Sequence, residues 1–119
     1  SNNLVVQKSI LLLVAISFNT ILVAQKSNDN FSGKWKTEGD VIIEITKSGS
    51  SFYGKPSNIN DFILKDLTFT NGKWIGVLTN PQKNISANCE AYLEVNRIKF
   101  VAKKGIIKKE IYWTKENKS

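Results

Sequence analysis

Ile85, Ala87, Cys89, Ala91, Leu93 and Val95 alternate with Ser86, Asn88, Glu90, Tyr92 and Glu94. Successive side chains of a strand point to opposite faces, so this run makes a strand with one apolar and one mostly polar face. Ile98, Phe100 and Ala102 continue the alternation against Arg97, Lys99 and Lys103. No long stretch carries the 3.6-residue period of a helix.

Turn signals divide the rest of the chain into further short apolar runs. "DVIIEIT" from Asp40 to Thr46 is rich in β-branched residues and is followed by "KSGS". "SFYGK" runs from Ser51 to Lys55 and ends at Pro56, and the loop "PSNIND" leads into "FILKDLTFT". Asn71-Gly72 suits the two positive-φ positions of a type I′ turn, which predicts a tight hairpin before Lys73–Leu78. Lys103-Lys104-Gly105 makes another turn, and "IIKKEIYWTK" closes the series. About eight short strands at this spacing predict an all-β antiparallel barrel or sandwich.

Residues 1–24 read differently. Lys8 precedes an apolar run from Ile10 to Ala24 that is shorter than the ~20 apolar residues of a spanning helix. This is the pattern of a secretory signal peptide, with cleavage expected between Ala24 and Gln25. The expected location is secreted or periplasmic, with no membrane anchor on the cleaved chain. Gln25 to Ser32 is polar and is expected to be a flexible leader. The domain itself is expected over residues 33–116.

Composition narrows the chemistry. There is no His, so the commonest general base and metal ligand is missing. The lone Cys89 has no partner for an internal disulfide, and its place on the apolar face predicts a buried thiol. Asp61 with Asp66, and Glu90 with Glu94, are the carboxylate pairs available, and solvated charge accounts for both. No catalytic residue, metal ligand or cofactor is assigned, and the chain reads as a non-enzyme.

Seventeen Lys and Arg against ten Asp and Glu give a net charge of +7. The densest positive region is Lys99, Lys103, Lys104, Lys108 and Lys109, where phosphate-type contacts without sequence readout are expected. Specific nucleic-acid binding is not.

"GKW" occurs at Gly33–Trp35 and again at Gly72–Trp74. The second follows a hairpin turn and the first opens the first strand, so the two are not a repeat. Gly33-Lys34-Trp35, Tyr53-Gly54-Lys55, Trp74-Ile75-Gly76-Val77-Leu78 with Pro81, and Trp113-Thr114-Lys115 together form a pattern. It resembles that of an uncharacterised family of small exported bacterial proteins, a domain of unknown function with a lipocalin-like barrel. The resemblance covers about Gly33 to Lys115. It implies an up-and-down β-barrel of about eight strands, and it places Lys115 across the ring of Trp35 as a clasp. Asn80, Ile85 and the "AKKGIIKKE" stretch depart from the pattern.

The function expected of such a barrel is binding of a small apolar ligand. Trp35, Trp74, Phe100 and Trp113 are the candidate lining, with Gly76, Ala87, Cys89 and Ala91 leaving room. A fully filled core competes with this reading. The alternative function is an interaction or structural role with a cell-envelope component, through an outer face that includes Tyr92.

Overall fold

The structure, a computed structural model, describes residues 24–116. The expected signal peptide, apart from Ala24, lies outside the described residues. Eight strands follow one another: β1 (Gly33–Lys36), β2 (Ile42–Ser48), β3 (Ser51–Pro56), β4 (Leu64–Thr70), β5 (Lys73–Asn80), β6 (Ile85–Leu93), β7 (Arg97–Lys104) and β8 (Ile107–Lys115). Each pairs antiparallel with the next, and β1 pairs back onto β8 to close a barrel. The closing seam is short, with Trp35 opposite Lys115 and Lys36 opposite Thr114.

The turns follow from local chemistry. Asn71 and Gly72 have φ of 52° and 82°, the two positive values a type I′ turn requires. Val95, expected on the apolar face of the β6 run, is instead 92% exposed. The strand ends at Leu93, because the chain must reverse before Arg97 and Val95 occupies that turn.

One irregularity shapes the wall. Between Lys65–Val77 and Thr68–Ile75 the β4–β5 register shifts, so Asp66 and Leu67 together face Gly76. Asp66 sits at φ 52°, and its carboxylate accepts the Tyr53 hydroxyl at 2.7 Å. A Cβ on Gly76 would lie 3.0 Å from the Leu67 Cα and the Lys65 carbonyl oxygen. A bulge therefore fits here only against a residue without a side chain.

Interior side chains are graded along the barrel axis. The β2–β3, β4–β5 and β6–β7 turns share one end with the start of β1 and the finish of β8. Phe52, Trp74 and Phe31 pack there edge to face, with ring centroids 5.3–5.5 Å apart. Phe31 belongs to the segment expected to be a loose leader, yet it is fully buried. The Trp74 indole N–H donates to the Lys26 carbonyl at 2.8 Å, and the Trp35 indole N–H to the Phe31 carbonyl at 2.9 Å. Gln25 accepts the Trp74 backbone N–H. Residues 25–32 thus cross this end of the barrel and seal it. Polar composition concealed this, because one buried aromatic, two backbone carbonyls and the Gln25 side chain do the sealing.

Candidate functional site

Towards the other end the same strands carry smaller inward residues. β3 reads Phe52, Gly54, Pro56 along its inner face, and β7 reads Ile98, Phe100, Ala102. On β6, Leu93 gives way to Ala91, Cys89 and Ala87. Eight strands enclose an interior just wide enough to be filled by large side chains, so small ones leave space. The result is a cavity of about 550 Å³ at the end bounded by the β1–β2, β3–β4 and β5–β6 loops and the β7–β8 turn. Its walls are apolar: Ile43, Pro56, Ile63, Leu78, Ala87, Ala102 and Ile111. Trp113 forms the floor and packs edge to face against Phe100 at a centroid distance of 4.6 Å. The barrel is filled at one end and hollow at the other.

The four aromatics expected to line a ligand space are therefore divided. Trp113 lines the cavity. Phe100 packs behind Trp113, and Trp35 and Trp74 belong to the sealed half. All four are buried, Phe100 on the inward face that the alternation of β7 predicts, but neither alternation nor aromatic character carries information about height along the barrel. Of the small residues expected to leave room, Ala87 lines the cavity. Gly76 accommodates the β4 bulge, and Cys89 and Ala91 are buried in the core.

The cavity rim is positive. Lys83 from the β5–β6 loop, Lys103 and Lys104 from β7, and Lys109 from β8 all border the opening. The Lys104 ammonium donates to the Ser86 carbonyl at 2.8 Å, which fixes it across the β6–β7 edge. The five lysines read from sequence as one anion-contacting region thus separate. Lys103, Lys104 and Lys109 are at the mouth. Lys108 pairs with Lys103 across the β7–β8 hairpin. Lys99 lies on the outer wall, its ammonium 5.1 Å from the Tyr92 ring centroid.

The outer wall accounts for its own polar groups. Tyr92 donates its hydroxyl to Glu90 at 2.7 Å, and Lys73 approaches the same carboxylate at 3.1 Å. The Tyr92 hydroxyl, with Lys73 beside it, holds the Glu90 carboxyl below its ordinary range, while the bond to Glu90 pushes the tyrosine up. Glu94 is engaged by Arg97, and Asp66 by Tyr53. Asp66, Glu90 and Glu94 thus each have a separate partner. Among the described residues no cluster of His, Cys, Asp or Glu is arranged to hold a metal ion.

At the sealed end the Lys115 ammonium lies 4.9 Å from the Trp35 ring centroid, the distance of a cation–π contact. Lys115 is exposed, so the contact is of the weaker kind. Lys115→Ala is expected to lower stability by about 0.5–1 kcal/mol and to alter Trp fluorescence. Urea unfolding followed by emission checks both.

No protein-family model matches the chain, no curated protein matches it, and no solved structure matches it.

Proposed function

We propose that this protein is an exported, non-catalytic carrier of a small amphipathic ligand, an apolar chain or ring system ending in an acidic group. The observation that carries the reading is the hollow half of the barrel, apolar within and bordered by four lysines. Its volume of about 550 Å³ falls in the range of small-molecule sites, roughly 300–1,000 Å³. Burial of the apolar part supplies affinity, at about 25 cal/mol per Å² removed from water. Lysine ammonium groups at the rim favour a carboxylate or phosphate over a neutral head, because hydrogen bonds between ionised partners are the stronger ones. Export rests on the expected signal peptide and on the resemblance to small exported proteins with lipocalin-like barrels.

Titration with a fluorescent polyene fatty acid and with the corresponding alcohol tests the proposal. The acid is expected to bind roughly tenfold more tightly than the alcohol. Ala87→Trp, which puts an indole into the cavity, is expected to abolish binding of both while leaving the near-ultraviolet circular dichroism of a folded barrel. A wild-type protein that binds neither probe, or an Ala87→Trp variant that binds as the wild type does, overturns it.

A further inference from the structure

The exposed apolar side chains are distributed unevenly. Among the described residues the large exposed hydrophobics are Val41, Ile59, Phe62, Ile75, Ile85, Val95, Ile106 and Ile107. All but Ile75 and Val95 lie at the open end. Ile106 and Ile107 stand furthest out: Ile106 is fully exposed and Ile107 is 68% exposed, side by side at the tip of the β7–β8 hairpin. A turn needs no isoleucine. Gly105, with φ of 65°, already supplies the unusual backbone.

Charge at the tip itself has one sign, and the nearest acids on these strands, Glu90 and Glu110, flank Val101 further along the wall. Pro81–Asn88 and Val101–Lys109 form the β5–β6 loop, the β7–β8 hairpin tip and their flanking strand ends. They contain Lys83, Lys103, Lys104, Lys108 and Lys109 and no Asp or Glu. Of the other acids of the open end, Asp61 is across the barrel in the β3–β4 loop, while Glu38 and Asp40 are in the β1–β2 loop beside β8, where the Glu38 carboxylate accepts the Tyr112 backbone N–H at 3.3 Å. An apolar tip set in a field of lysines matches a surface that is anionic outside and apolar beneath. That is the profile of a bilayer containing acidic lipids. A soluble polyanion would engage the lysines and leave the isoleucines in water.

We propose that the open end is a docking surface for an anionic lipid bilayer, with the Ile106–Ile107 tip in the interface and the surrounding lysines on the headgroups. Docked this way, the mouth of the cavity faces the bilayer. The docking surface stands on exposure and charge alone and does not require the cavity to be occupied.

The test uses the full chain with an environment-sensitive fluorophore on Ile106→Cys, and in a second protein on Val95→Cys at the opposite end. Cys89 is buried and leaves the label site-specific. The vesicles contain about a third phosphatidylglycerol, with phosphatidylcholine vesicles as the neutral control. Residues 10–24 are themselves apolar, so binding alone decides nothing, and the comparison of the two labels in one chain does. The label at 106 is expected to blue-shift on anionic vesicles and the label at 95 to stay in water. Ile106→Ser with Ile107→Ser is expected to weaken the partitioning of a chain beginning at Gln25 at least about tenfold. Lys103→Gln with Lys108→Gln is expected to weaken it and to reduce its sensitivity to salt. The proposal is overturned if the label at 106 remains in water, if both labels shift alike, or if the serine variant partitions as the parent does. A shift at 106 without vesicles would show a second copy of the chain covering the tip, and would overturn it as well.

Discussion

Trp74→Ala is expected to destabilise the barrel by about 3–5 kcal/mol, the range for truncating a buried large aromatic. Trp74 is 3% exposed and begins β5 at the sealed end. Its ring meets Phe31, Phe52 and Phe69 at centroid distances of 5.3, 5.5 and 5.3 Å. Each is an aromatic pair worth more than its area alone. The indole N–H also holds the Lys26 carbonyl, so truncation releases the segment that carries Phe31 across the barrel end. Small domains have only about 5–15 kcal/mol in total, which makes this a large fraction. Trp74→Phe keeps much of the ring and loses the donor, and should recover about half of the loss. Chemical denaturation of the three proteins decides the matter. A loss below about 1 kcal/mol for Trp74→Ala would show that the sealed end does not carry the core.

Raising the pH is expected to remove stability through Cys89. Burial pushes its thiol up to about 12. In the unfolded chain a thiol releases its proton near ~8.5. Between these values the unfolded state binds fewer protons than the folded one, so stability falls as pH rises. Below about 8.5 the contribution is complete and flat. The slope for this one group approaches about 1.4 kcal/mol per pH unit, for a total of about 2–4 kcal/mol by pH 12. Tyr53, Tyr92 and Tyr112 are also pushed up, by donating their hydroxyls to Asp66, Glu90 and Glu110, and they act in the same direction. Comparison with Cys89→Ala subtracts those groups. The variant should lose stability less steeply above pH ~9 and match the wild-type slope below it. Equal slopes at alkaline pH would mean that the thiolate is as well solvated in the folded barrel as outside it.

Strand positions, the inward face of β6 and β7, and the Asn71-Gly72 hairpin were legible in the residues themselves. Each depends on neighbours one or two positions away, and alternation or a turn dipeptide records such neighbours directly. The burial of Cys89 follows from the same period. A grading of side-chain size was also present, as Phe52, Gly54, Pro56 on β3 and Ile98, Phe100, Ala102 on β7. Its meaning depends on which strand ends meet, and that is set by the register of eight strands and the closure of β1 on β8. Only closure places Trp35 and Trp74 at one end and Ala87, Ala102 and Ile111 around a hollow at the other. The successive pairing of β5 to β8 brings Lys83 to the same rim as Lys103, Lys104 and Lys109. The sealing of the far end by residues 25–32 was hidden for a related reason. A carbonyl oxygen is available at every residue, so nothing in a side chain announces that Lys26 and Phe31 will accept the two indole N–H groups. Local periodicity determined which face of each strand is buried. The height of each residue along the axis, and with it the cavity, was decided by long-range pairing that no short stretch of chain contains.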